Sequence, residues 1–232
     1  MKEENISICD ATCEQLHAFR YQISLGENQH HEIMGIEKII KDLNVEAFEK
    51  SFEILIRRHE SLRSYFQINN GEIKQCIIPY DKDIFNVHYY NKDDIADDNS
   101  FISNTLDECK RSFKIDAPPL LKCLIFNIDH EKFLMCLLMP HIISDERSCR
   151  LILQELRMYY DSFKNGKSIE VLPLKMQISE YSLRQKKWME KNEDRICNYW
   201  HNKLETILNQ KKQTIYKIID GNSNHSESRK DL

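Results

Sequence analysis

Apolar residues recur along this chain in two rhythms, and the switches between them predict its elements. Phe48, Phe52, Leu55, His59, Leu62 and Phe66 return every three or four positions, which predicts one stripe of a helix beginning after the cap candidate Asn44. "SYFQINNGEIKQCIIP" follows and predicts two short strands around an Asn-Gly turn at 69–71. A polar loop covers 91–100, and "FISNTLDECKRSF" returns to a helical pattern. "LLKCLIFNI" and "KFLMCLLM" are almost continuously apolar, as strands buried on both faces are, so this hairpin is expected at the centre of a sheet.

Ser144 or Asp145 is placed to cap the next helix, whose Ile152, Leu156, Tyr160 and Phe163 share one side and which "KNGK" ends. A last helical region, expected to break near "KNED", carries Tyr181, Trp188, Tyr199, Trp200, Leu204 and Ile207, aromatics read as helix packing. The composition then turns polar, ending "DGNSNHSESRKDL". We expect a folded lobe over residues 1–208 and a polar, disordered tail over 209–232. The sequence shows no internal repeat.

Composition narrows the function classes. The chain has 232 residues, 41% of them hydrophobic, enough for one substantial core. Its 33 Lys and Arg against 37 Asp and Glu leave a net charge of −4, so no basic excess exists to neutralise a phosphate backbone, and nucleic acid is not expected as a partner. "MKEENISICD" lacks the apolar segment of a signal peptide, and no apolar run has the length of a membrane span; the chain reads as cytoplasmic, without membrane contact. The eight cysteines include no Cys-x-x-Cys pair, and adjacent His30 and His31 have no partners at ligand spacing, so neither a disulfide framework, a bound metal nor a bound cofactor is expected.

Candidate chemistry concentrates in "MPHIISDERS", residues 139–148. His141 stands just past an apolar strand, with Asp145 four residues on and Ser144 and Ser148 beside it as possible site-lining hydroxyls. An imidazole of pKa about 6.5 is a suitable proton acceptor near neutral pH, yet a histidine at a strand end is also a common structural residue. His59, on the apolar stripe, reads as a hydrogen-bonded core residue, and Arg58 is open between roles.

"RHESLRSYF" (58–66), "MPHIISDERS" and "APPLLKCLIFNI" (117–128), in this order and spacing, resemble motifs of the condensation domain of nonribosomal peptide synthetases, a member of the chloramphenicol-acetyltransferase-like acyltransferase superfamily. Weaker agreement extends the likeness from about residue 10 to 205. The resemblance implies an α/β (α+β) lobe, a mixed sheet covered by helices. It implies amide formation between an amine and an acyl thioester, both held on phosphopantetheine arms of carrier domains. It implies His141 as the catalytic residue, and Asp145 as a structural residue paired with Arg63.

The chain departs from the family pattern at three points. Pro140 stands where the first motif histidine would be, so strand pairing is expected to stop one residue early. Glu146 replaces the motif glycine: it is strained if that position needs positive φ, and comfortable if it lies in a helix's first turn. The motifs of the second lobe are absent, so the site is expected to need a second lobe or self-association, and an apolar docking face is expected to lie exposed. Two readings stay open: a condensation-type lobe that works with a second lobe, and a non-catalytic remnant or interaction module of a condensation domain.

Overall fold

The structure, a computed structural model, describes residues 6–25, 33–91, 98–129 and 131–223. His30 and His31, and most of the loop expected at 91–100, lie outside these residues. In chain order the elements are β1 (Ser7–Asp10), α1 (Cys13–Leu25), β2 (Ile33–Lys41) and α2 (Val45–Arg58). A 3₁₀ turn (Glu60–Arg63) leads into β3 (Ser64–Asn69), β4 (Glu72–Ile77), β5 (Val87–Tyr90), α3 (Asp98–Arg111), β6 (Lys122–Asp129), β7 (Lys132–Pro140), α4 (Glu146–Lys164) and α5 (Ile178–Ser223).

Among the described residues the strands form two sheets. One is antiparallel in the order β1-β4-β3; the other is mixed, β2-β7-β6-β5, with β5 parallel to β6 and the remaining pairs antiparallel. The continuous apolar runs are therefore the two central strands, as the sequence predicts. Cys123–Phe126 and Met135–Met139 are all buried, and a strand sealed on both faces has no place for alternating polar residues. The hairpin of β3 and β4 turns at Asn70 (φ 51°) and Gly71 (φ 82°), the pair of left-handed conformations that a tight two-residue turn between twisted strands requires.

α2 and α4 pack over the core. Asn44 caps α2 by accepting from the Ala47 N–H (2.9 Å), and the helix buries Phe48, Phe52, Leu55 and Ile56. α4 buries Cys149, Ile152, Leu156 and Tyr159 and ends at Asn165–Gly166, where Gly166 takes φ 67°.

Two expectations about helix extent need correction. The stripe from Phe48 to Phe66 is not one helix: α2 stops at Arg58, and Leu62 and Phe66 reach the core from the 3₁₀ turn and from β3. α2 ends where it does because distant side chains take its last carbonyls. Arg63 Nε donates to Ile56 O (3.0 Å) and Gln177 Nε2 to Arg58 O (2.8 Å). Nor is there a break near 191–194, because α5 runs unbroken from Ile178 to Ser223, with Lys191, Glu193 and Asp194 on an exposed face. Those charges are ordinary helix formers, and a polar run alone does not end a helix.

The chain divides into two compact units, Met1–Gln185 and Lys186–Leu232, rather than at residue 208. Secondary structure continues to Ser223, so a disordered tail does not begin at 209; residues 224–232 lie outside the described ones. In the second unit Trp188, Tyr199, Trp200, Leu204 and Leu208 are exposed, so the expected packing of these aromatics is not found among the described residues.

Candidate functional site

β7 ends at Pro140, and the turn that follows aims a histidine into a cleft. Pro140 still pairs with Ile33 in the ladder, so pairing does not stop early. Lacking an N–H, it contributes through its carbonyl, which accepts from Ile143 N (3.1 Å) and Ser144 Oγ (3.2 Å). These bonds fold residues 140–144 into a tight turn with Ile142, Ile143 and Ser144 buried below and His141 exposed on top. Proline in place of histidine therefore has not displaced His141 from the strand end.

His141 Nδ1 lies 2.7 Å from Ser144 O. A carbonyl only accepts, so Nδ1 donates, and whenever the ring is neutral its lone pair is on Nε2. Nε2 has no hydrogen-bond partner among the described residues. His141 lines a cleft of about 1180 Å³, walled also by the first turns of α1, by His59 and Ser61, by the rest of the 140–145 turn with Ser148, and by the approach to α5 (Leu174 to Ile178) with Tyr181.

Asp145 does not meet Arg63. Asp145 is the N-cap of α4: its Oδ1 accepts from Ser148 Oγ (2.6 Å) and Ser148 N (2.7 Å). These two bonds, the side-chain one foremost, hold its carboxyl below the ordinary range, with a smaller contribution from His141. Arg63 is turned the other way and braces the end of α2, donating to Ile56 O and Ile78 O. The expected ion pair is absent because each partner is already satisfied by groups nearer to it, Asp145 by the hydroxyl and N–H of Ser148 and Arg63 by backbone carbonyls. Glu146 sits exposed in the first turn of α4 and pairs with Arg150 (3.0 Å); its backbone is helical, so the strain considered for a left-handed position does not arise.

The segment Arg58-His59-Glu60 is a junction of three helices. Glu155 on α4 accepts from Arg58 Nε (3.2 Å), His59 Nε2 (2.8 Å) and Tyr159 OH (3.3 Å). Glu60 receives Ser179 Oγ (2.6 Å) and Ser179 N (3.3 Å) at the start of α5, and Glu60 N donates to Gln177 Oε1 (3.2 Å). His59 is thus the hydrogen-bonded residue expected, and Arg58 takes a structural part beside it. Further along α5, Ser182 Oγ donates to Asp10 O, and Gln185 accepts from Cys13 N (2.7 Å) while donating to Glu14 (3.1 and 3.2 Å). The first two turns of α5 therefore strap the cleft, pinned to α2 at one end and to α1 at the other. Sequence reasoning passed over Glu155, Gln177 and Gln185; the one local signal was Glu155 lodged at the edge of an apolar stripe, between Ile152 and Tyr159.

Among the described residues no group of three or more His, Cys, Asp or Glu is arranged to hold a metal ion, and no helix is long and apolar enough to cross a membrane.

The condensation-domain family model matches residues 18–221. This chain belongs to the condensation-domain family. Malpibaldin synthetase of Mortierella alpina is 26% identical over 182 residues, 77% of this chain and 3% of that protein. Bacitracin synthase 2 of Bacillus licheniformis is 30% identical over 161 residues, 69% of this chain and 6% of the relative. The epimerization domain from the third module of tyrocidine synthetase B superimposes with a TM-score of 0.72 at 16% identity, covering 87% of this chain and 46% of that one. The starter condensation domain of rhizomide synthetase gives 0.69 at 13% identity, with 79% and 46% covered. These neighbours share the chloramphenicol-acetyltransferase-like fold, and the chain spans a few per cent of the synthetases and under half of either solved chain. Condensation domains are acyltransferase-type catalysts of amide formation in nonribosomal peptide synthesis and work with carrier domains.

Proposed function

We propose that this chain supplies the histidine-bearing half of an acyl-transfer site, in which an amine attacks an acyl thioester held on the phosphopantetheine arm of a carrier domain. The observation that carries this reading is His141: an exposed ring at a strand end that lines a large cleft, with Nδ1 held by Ser144 O and Nε2 without a hydrogen-bond partner among the described residues. The amine nitrogen bonds to the thioester carbonyl carbon, and Nε2 accepts the proton that the adduct nitrogen sheds. The C–S bond then breaks, and the departing thiolate takes a proton back from the imidazolium. Such help is worth about 10²–10⁴ in rate. Asp145 and Ser148 keep the turn attached to α4, Ser144 sets the ring, and Arg63 braces α2. No step needs a metal or a cofactor bound by this chain. The facing wall comes from a second lobe, on the same polypeptide or another, because holding both reactants in line supplies a share of the barrier comparable to that of the base.

The test is amide formation from carrier-bound donor and acceptor. The chain alone is expected to give none, and addition of a second condensation lobe is expected to restore turnover, which His141→Ala lowers by about 10²–10⁴ with little change in melting temperature. An aminoacyl-pantetheine amide should shift the His141 ring signals in NMR even without turnover. Turnover indifferent to His141→Ala would overturn the proposal in favour of a different catalytic group, and a ring that no such probe perturbs would overturn it in favour of a non-catalytic remnant of the domain.

A further inference from the structure

The cleft is unevenly charged. Its acidic lining is Glu14 and Asp145, beside the histidines His17, His59 and His141, and among the described residues neither lysine nor arginine lines it, although the chain carries 33 of them. Asp145 is spent on capping α4. Glu14 is held differently. Gln185 anchors its own carbonyl on Cys13 N and turns its amide onto both Glu14 oxygens, and the same amide reaches Tyr181 OH (3.4 Å). The hydrogen bond from Gln185 keeps the Glu14 carboxyl below its ordinary range, so the group is anionic at neutral pH. Glu14 has no basic partner among the described residues. Tyr21, seven residues on and therefore on the same face of α1, and Tyr181 across the cleft both show exposed rings, at 48% and 43% accessibility.

An oriented carboxylate with one exposed aromatic ring tied to the same amide and a second two turns along α1, in a cleft that no lysine or arginine lines among the described residues, is suited to a positively charged group on a long side chain. We infer that Glu14, Tyr21 and Tyr181 form a subsite for an ammonium or guanidinium on the side chain of the substrate. This inference rests on the proposed acyl-transfer reading and names a substrate class within it. The subsite favours basic acyl groups and disfavours acidic ones, whose carboxylate would face Glu14 with no basic residue to offset it.

The test is titration of the full chain with lysyl-, norleucyl- and glutamyl-pantetheine amides, which share the α-amine and the arm and differ in side-chain charge. Lysyl is expected to bind about tenfold tighter than norleucyl, an ion pair reinforced by ring contact, and glutamyl to bind weakest. Glu14→Gln keeps an acceptor for Gln185 and should bring lysyl and norleucyl within about twofold; Tyr181→Leu should remove part of the preference, and thermal melts confirm folding. Equal lysyl and norleucyl binding in the wild type, or a preference that survives Glu14→Gln, overturns the inference. If norleucyl still perturbs the His141 ring in that case, the acyl-transfer reading stands, whereas binding by none of the three probes sinks both.

Discussion

His59 and His141 line the same cleft and are held in opposite ways. His59 Nε2 is locked 2.8 Å from a carboxylate that also takes Arg58 and Tyr159, in a junction where the Arg58, His59 and Glu155 side chains are about four-fifths buried. His141 is exposed, is fixed through Nδ1 by a carbonyl three residues away, and keeps Nε2 open. The difference lies in what completes each bond. Each histidine engages one nitrogen; Nε2 of His59 goes to a long-range carboxylate that joins helices, whereas Nδ1 of His141 goes to a carbonyl three residues away and its Nε2 is left without a partner among the described residues. A histidine's role is therefore read from the partner of each nitrogen, not from its position in a cleft.

The sharpest way to break this contrast is to remove Glu155. Glu155→Ala strands Arg58 and His59, largely desolvated, without their carboxylate; with a discount for partial exposure the cost is about 2–3 kcal/mol. The melting temperature should fall by roughly 5–10 °C, while His141→Ala shifts it by no more than about 1–2 °C. Equal and small shifts in both variants would mean that the junction contributes no more to stability than the turn does.

A smaller effect tests how the turn itself is held. The Asp145 carboxyl is lowered in the folded state, so its stabilisation is complete above the unfolded value of about 4 and is lost as pH falls through the lower native value. Asn caps a helix as well as Asp, so Asp145→Asn isolates the charge. The variant should be less stable than the wild type by about 0.3–1 kcal/mol at pH 7, with the gap closing in acid. Urea unfolding of both proteins from pH 7 to pH 2 measures it, and a gap that does not change with pH would place the capping interaction outside the charge.

What the sequence revealed and what it concealed divide by range. β6 and β7, the Asn70-Gly71 hairpin, the Asn44 cap and the Gly166 stop were legible because each depends on a few neighbouring residues, and the cap of α4 was narrowed to Ser144 or Asp145, of which the structure takes Asp145. The position of His141 just past β7 was legible for the same reason, whereas the turn at 140–144 was not, because Pro140 was expected to end the pairing and instead stays in the ladder. The end of α2 was not, because the amide that takes Arg58 O lies 119 residues away, and the acid on His59 lies 96 away. α5 was misread for another reason: charge at 191–194 looked like a break, although no glycine or proline stands there to make one.

The last prediction tests the one carried-over pairing that the structure rejects. If Asp145 and Arg63 acted on each other, removing both would cost less than the sum of the single removals, by the 0.5–3 kcal/mol typical of contacting residues. Here Asp145→Ala removes a helix cap, about 1 kcal/mol, and Arg63→Ala leaves the carbonyls of Ile56 and Ile78 without a donor, about 1–3 kcal/mol. Each loss falls on different backbone, so the double variant should equal the sum of the singles to within about 0.5 kcal/mol. A coupling well above that would mean that the arginine reaches the aspartate in solution and that the turn is held from α2. Additivity instead leaves the placing of His141 to its own turn at 140–144, which explains how a proline within that turn and a glutamate just after it, in the first turn of α4, can stand at motif positions and still leave the ring lining the cleft.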